Sequence, residues 1–284
     1  MRFEKWQALG NDYLIVERDQ LPVPLSELVV RRLCDPHLGV GADGVLELSP
    51  PDEAGFVARL RIFNPDGSEA ELSGNGAREA ILYLHRRGWT AATQFSIQTK
   101  AGEIRPTITS PTTCSVDMGR ARTASEHVPD GAPDGRGTVD AGGRTWAFQH
   151  VTIGNPQCAI EVGDVAELNG LDLEAYGPAI ENDAQFPNRT NVSWWTEIEP
   201  GFIRARIFER GVGVTMSSGT GACGAAVAYV LRGGDSPVRV ALDGGELDVT
   251  VEEDLHVDLS GWAVPVYAGE ASEELLRTLR GLAR

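Results

Sequence analysis

Polar and apolar residues alternate from Arg59 to Phe63 and again from Ile203 to Phe208, the period-two pattern of half-buried strands. The runs Ala77 to Arg87 and Ala222 to Leu231 are rich in alanine and leucine-like residues, which predicts helix. In the second run, Ala225, Ala226, Val227 and Ala228 are small and apolar, so that helix is expected to be buried. The last segment, Ser272 to Arg284, places Leu275, Leu276, Leu279 and Leu282 on one side of a short amphipathic helix. Between Ala124 and Gly143 the chain is rich in Gly, Pro, Asp and Arg, which reads as a polar connection carrying a hairpin.

These patterns occur in pairs. Arg59, Arg61, Ile62 and Phe63 match Arg204, Arg206, Ile207 and Phe208, and Ser73-Gly74-Asn75-Gly76-Ala77 matches Ser218-Gly219-Thr220-Gly221-Ala222, all at an offset of 145 positions. Arg87-Gly88 and Arg232-Gly233 keep the same register. Gly10-Asn11-Asp12 and Gly154-Asn155-Pro156 open the copies, and Gly102-Glu103-Ile104 echoes Gly245-Glu246-Leu247. Such a repeat implies two copies of one supersecondary unit. The expected fold is therefore α+β: two pseudo-symmetric domains, 1–118 with 266–284 packing back on it, and 119–265. Each is a strand-rich sheet or barrel around a central helix. The expected active site lies in the cleft between them, with one serine delivered from each copy.

Composition narrows the partners. The chain has 284 residues, 42% hydrophobic and 23% charged, an ordinary balance for a globular protein. Its formal net charge of −16, from 25 basic and 41 acidic residues, would repel a phosphate backbone, so no nucleic-acid partner is expected. The N-terminus has no apolar signal region and no run is long enough to span a bilayer, so a cytoplasmic protein without a membrane partner is expected. The four cysteines form no CxxC pair and the five histidines are scattered, so reduced thiols and no metal are expected. Lys5 and Lys100, the only lysines, sit in no motif for a Schiff-base cofactor.

Glycines after Ser73 and Ser218 let a ligand approach the backbone, and helix-start N–H groups bind anions. A single such serine would be read as a helix cap and nothing more; its duplication favours a site. Two matches to G-x-G-x-x-G, at 39–44 and 219–224, lack the strand–helix context of a dinucleotide site. Neither serine sits in a G-x-S-x-G elbow.

Taken together, Gly10-Asn11-Asp12, the run from His37 to Gly44, Phe63-Asn64-Pro65-Asp66-Gly67-Ser68, Gly74-Asn75-Gly76-Ala77-Arg78, Gly154-Asn155-Pro156, Asn191-Val192, Glu209-Arg210-Gly211 and Gly219-Thr220-Gly221-Ala222-Cys223 resemble the diaminopimelate epimerase family over nearly the whole chain. That family is similar in fold to proline racemase and to a phenazine-biosynthesis isomerase. The resemblance implies a cofactor-independent, PLP-independent isomerase that converts LL-diaminopimelate to the meso form for lysine and cell-wall biosynthesis. It implies a small amino-acid substrate and leaves room for a homodimer. By the same resemblance, Asn64, Asn155, Asn191 and Arg210 would read the distal end of the substrate. Gly74, Asn75, Gly219 and Thr220 would hold the reacting carboxylate, Glu209 would bind the reacting amine, and Asn11 would line the pocket. Any one of these asparagines also suits a turn, Asn64 before Pro65-Asp66-Gly67 above all.

The chain departs from the family at the reacting positions. Ser73 and Ser218 stand where the family has the two cysteines that exchange the α-proton, Gln157 stands where histidine is usual, and Val214 where an acidic residue is common. A thiol titrates near ~8.5, whereas a serine hydroxyl is a weak base unless another group activates it. No histidine lies in either motif to do so, and very slow epimerisation or none is expected. Several readings follow: a diverged isomerase or lyase acting on another amino or carboxylic acid, an epimerase that works with serines, an inactive ligand-binding homologue, or a Cys→Ser pair made to trap ligand.

Overall fold

The computed structural model describes residues 1–283; Arg284, the end of the expected C-terminal helix, lies outside the described residues. The chain divides into two units, Met1–Val116 with the segment from Gly261 onward, and Asp117–Ser260. In chain order the first elements are β1 (Arg2–Ala8), β2 (Asn11–Glu17), α1 (Glu27–Cys34), β3 (Val45–Ser49), β4 (Ala58–Phe63), β5 (Glu69–Ala70) and α2 (Gly74–Arg86). Then come β6 (Ile97–Thr99), β7 (Gly102–Ile104), β8 (Pro106–Ser110), β9 (Thr113–Arg120), β10 (Arg136–Ala141), β11 (Arg144–Thr152), β12 (Pro156–Glu161), α3 (Val165–Gly170) and α4 (Leu173–Glu181). The chain continues through β13 (Asn191–Glu199), β14 (Phe202–Glu209), β15 (Gly213–Thr215), α5 (Gly219–Val230), β16 (Val238–Leu242) and β17 (Gly245–Val251). It ends with β18 (His256–Trp262), β19 (Val264–Glu270) and α6 (Glu273–Leu282).

The repeat is a repeat of topology. The first sheet runs β19-β1-β2-β3-β4-β6-β7 with β5 beside β4; the second contains β10-β11-β12-β13-β14-β16-β17-β18 with β15 beside β14. From β1 to β7 the pairings are antiparallel, parallel, antiparallel, parallel, antiparallel. The same sequence of directions runs from β11 to β17. Neither strand path returns on itself, so the expectation resolves to open sheets and the barrel alternative is corrected. The central helix of each copy supplies the apolar partner that barrel closure would otherwise provide. In the first unit α2 packs on β1, β2 and β3, and in the second α5 packs on β11 to β14, β16 and β17.

The alternating segments bury alternate residues: Ala58, Leu60 and Ile62 in β4, and Ile203, Ala205 and Ile207 in β14. One core gathers Leu14, Val16, Leu33, Val45, Phe63 and Leu279; another stacks Trp146, Phe148, Phe186, Trp194 and Phe208. Burying such a side chain is worth roughly 1.5–3 kcal/mol, and Leu279, with Leu275 and Leu282 packed against the same core, holds α6 beside α1. The polar stretch after Ala124 ends in the β10–β11 hairpin, where Ala141 faces Arg144 across Gly142 and Gly143. Both glycines have positive φ, +60° and +74°, as this two-residue turn requires. Helix α5 is apolar on every side and buried, as its composition requires. Helix α2 is not: Arg78 and Glu79 lie wholly inside it against the sheet, which periodicity did not indicate.

Candidate functional site

In each unit a serine stops the strand-side loop and opens the central helix. Ser73 has extended backbone (φ −129°, ψ 121°) and its Oγ accepts from Gly76 N at 3.1 Å; Ser218 repeats this (φ −141°, ψ 121°), accepting from Gly221 N at 3.2 Å. Both are therefore N-caps. An α-helix leaves its first-turn N–H groups without intrahelical partners and concentrates positive potential there. Gly74-Asn75 and Gly219-Thr220 form those first turns.

Around Ser73 the neighbours come from β1, β2 and the loop before β3. Tyr13 Oη donates to Ser73 Oγ at 3.2 Å. Asn75 Nδ2 donates to Asn11 Oδ1 at 3.2 Å, and Asn11 Nδ2 donates to Asp43 Oδ2 at 2.9 Å. Asp43 also accepts from the Asp12 backbone N–H, and Asp12 pairs with Lys5 at 3.1 Å. Beneath this turn, Arg78 donates to Asn75 Oδ1 at 2.6 Å and to Gly74 O at 3.1 Å. Burial pushes the Glu79 carboxyl well above its usual range; Arg78 opposes this, and Asp12 and Asp43 add to it. Asn64 lies at the end of β4 in a tight turn. Its side chain braces that turn: Nδ2 donates to Ser68 Oγ at 2.9 Å, and its backbone N–H and C=O bond Ser68 O and Gly67 N.

Around Ser218 the neighbours differ. Ser218 Oγ donates to Glu209 Oε2 at 3.0 Å. Burial raises the Glu209 carboxyl above its ordinary value, with Thr215 and then Ser218 pulling the other way. Asn155 Nδ2 donates to Thr220 Oγ1 at 3.2 Å, and the buried Gln157 donates from Nε2 to Asn155 Oδ1 at 2.6 Å. Gly224 permits this approach, since a Cβ there would lie 2.8 Å from Gln157 Cβ. Asn191, buried, donates to Pro156 O at 3.2 Å and accepts from the Arg210 backbone N–H at 2.9 Å. Arg210 Nη1 donates to Asn188 O at 2.9 Å. Val214 lies in β15 opposite Phe208 and is 39% exposed.

The two environments share a framework. The bond between Asn11 and Asn75 corresponds to that between Asn155 and Thr220, at offsets of 144 and 145 positions. Tyr13 occupies the place of Gln157, Asn64 the place of Glu209, and Glu79 the place of Gly224. Reading along the repeat misses Tyr13, Asp43, Arg78 and Glu79 because they lie outside the matched residues; aligning the copies position by position would have flagged Tyr13 against Gln157. All four cysteines are buried. Away from both serines, and unsignalled by spacing, Asp117, His256 and Asp258 bring ligand-type atoms within 4.8 Å of one another, with His256 Nε2 already 3.0 Å from Asp117 Oδ1.

This arrangement, duplicated sheets each carrying a capped helix, is a fold shared with solved structures. A probable proline racemase from Agrobacterium radiobacter K84 matches with a TM-score of 0.68 and 14% identity, covering 96% of this chain and 93% of the other. A family model described as diaminopimelate epimerase matches residues 3–124 and 149–272. The diaminopimelate epimerase of Synechococcus sp. (strain JA-3-3Ab) is 39% identical over 282 residues, covering 96% of this chain and 99% of that protein. That of Desulforudis audaxviator (strain MP104C) is 41% identical over 283 residues, covering 97% of each. The chain belongs to the diaminopimelate epimerase family, a family of isomerases.

Proposed function

We propose that the protein epimerises an α-amino acid without a cofactor, interconverting LL- and meso-diaminopimelate, with Ser73 and Ser218 at the two proton-transfer positions. The observation that carries this reading is the duplicated cap: two serines with matching backbone geometry, each one residue before a glycine-led helix turn. Removing the α-proton places negative charge on the carbon and on the adjoining carboxylate. First-turn N–H groups of Gly74-Asn75 and Gly219-Thr220 would hold that carboxylate, and helix dipoles aimed at developing charge lower the barrier. Asn11, Asn64, Asn155, Asn191 and Arg210 would position the rest of the substrate, Arg210 by a bidentate grip on the distal carboxylate. Asn191 would act by holding the Arg210 backbone, which it already bonds. The substrate is a small zwitterion, and the site of action would be the cytoplasm, where lysine and cell-wall precursors are made.

The test is incubation of the protein with each diaminopimelate isomer in deuterated water, following the α-proton by NMR. Exchange with inversion is the expected result. Binding with inversion of no isomer would assign the pocket to a ligand-binding role, and failure to bind any isomer by calorimetry would remove the substrate.

A further inference from the structure

Arg87-Gly88 and Arg232-Gly233 close the two copies in register, and neither belongs to the serine sites. Each arginine lines a cleft at the C-terminal end of its unit's central helix, α2 or α5. The first cleft has a volume of about 370 Å³ and the second about 320 Å³. Both contain the same five residue types. They are Glu4, Glu17, Tyr83, Arg87 and Trp89 in the first, and Glu161, Trp195, Glu197, Tyr229 and Arg232 in the second. In each, the arginine pairs with one glutamate, Arg87 with Glu4 and Arg232 with Glu161. The tyrosine hydroxyl donates to the other glutamate at 2.8 Å, Tyr83 to Glu17 and Tyr229 to Glu197.

The clefts differ at the indole. Trp89 Nε1 donates to Glu17 Oε1 at 3.3 Å, so the first set closes on itself. Trp195 is 1% exposed, and its buried Nε1–H has no hydrogen-bond partner among the described residues. An unpaired buried donor is costly, and an acceptor on a ligand would satisfy it. The Trp195 ring meets Tyr229 edge to face with centroids 5.9 Å apart, and the Arg232 guanidinium lies 5.8 Å from its centre. Gly234 leaves room for this packing, since a Cβ there would lie 2.2 Å from Tyr229 Cε1. Three carboxylates, Glu161, Glu197 and Asp235, line the second cleft against the one guanidinium of Arg232. The C-terminus of α5 adds the negative pole of a helix dipole, so a cation is favoured there. Glu161 takes only Nη1 of Arg232. A guanidinium has five N–H donors, so the same fork can also receive a ligand carboxylate.

We propose that the cleft at the end of α5 is a second binding site, which takes a cationic amino acid. Its carboxylate meets Arg232 and the Trp195 indole N–H, and its ammonium groups meet Glu197 and Asp235. The site lies within one unit and does not depend on the epimerase reading.

The experiment is calorimetric titration of L-lysine into the unaltered chain, R232Q, D235N, W195F and R210A, with a thermal melt of each. Arg232 and Asp235 are at the surface, so their variants keep the test decisive if the buried W195F fails to fold. The unaltered chain should bind L-lysine. R232Q and D235N should each weaken binding about tenfold or more, as loss of a hydrogen bond to a charged group does. W195F should weaken it about fivefold, the equivalent of one neutral hydrogen bond. Cadaverine, which has both ammonium groups and no carboxylate, should bind more weakly and be indifferent to R232Q. R210A should bind L-lysine as the unaltered chain does. Absence of binding by the unaltered chain at millimolar L-lysine would overturn the site. Binding lost in R210A and kept in R232Q would place the ligand with the proposed substrate residues and also overturn it. Equal binding by the unaltered chain, R232Q and D235N would do the same.

Discussion

The two units place the same motif on the same topology and surround it with different chemistry. Beside Ser73 stands a phenol, Tyr13, donating to the serine oxygen; beside Ser218 stands a carboxylate, Glu209, accepting from it. Beneath the first helix turn lie a buried Arg78 and Glu79, where the second has Cys223 and Gly224. The difference shows that duplication conserves the parts that build a helix start — strand directions, extended cap, glycine-led turn — and leaves the neighbours free to diverge.

The largest effect is expected from removing the difference. Ser73→Cys with Ser218→Cys gives both halves a thiol and should raise the epimerisation rate by about two orders of magnitude or more, as expected of better-matched acid–base groups. Each single change should do much less, because removal and return of the proton use different groups. Steady-state rates from both diaminopimelate isomers check this, and an unchanged double variant would show that the surrounding pocket limits the reaction.

A smaller effect is expected on one half alone. Tyr13→Phe removes one donor to Ser73 Oγ and should lower kcat about fivefold, the rate equivalent of the ~1 kcal/mol worth of one hydrogen bond, with KM little altered. Gln157, at the matching place, bonds Asn155 and not Ser218, so Gln157→Leu should act mainly on KM. Equal kcat losses in both variants would erase the asymmetry.

The smallest effect concerns stability. Burial holds the folded Glu79 carboxyl well above its usual range, so the folded chain keeps a proton there that the unfolded chain releases. Its contribution is complete below the usual carboxylate range and is lost as pH rises through the folded value. Glu79→Gln keeps the shape without the titration. Its Tm should fall less than that of the unaltered chain as pH rises from that range toward neutrality. Parallel Tm curves would show that Glu79 stays charged beside Arg78.

Much of this was legible before folding was considered. The alternation at Arg59–Phe63 and Ile203–Phe208 identified β4 and β14, and the serine-glycine motifs identified the starts of α2 and α5, since strand period and helix capping are local properties. The buried Arg78 and Glu79 were not legible, because charged residues in a helix normally mark its solvent face. Asn64 was readable as a turn residue from Pro65-Asp66-Gly67, and its amide does serve the turn.

The sequence by itself determined that the chain is a tandem copy of one unit, that each copy opens a helix with a serine, and that thiols are missing from both motifs. These follow from spacing and residue type, which need no third dimension. Tertiary structure alone decided which way each serine's hydrogen bonds run. Tyr13 is 60 positions from Ser73 and Glu209 is 9 from Ser218. A hydroxyl can donate or accept equally well in the extended chain, and only the packed sheet and helix bring a phenol to one and a carboxylate to the other at hydrogen-bond distance.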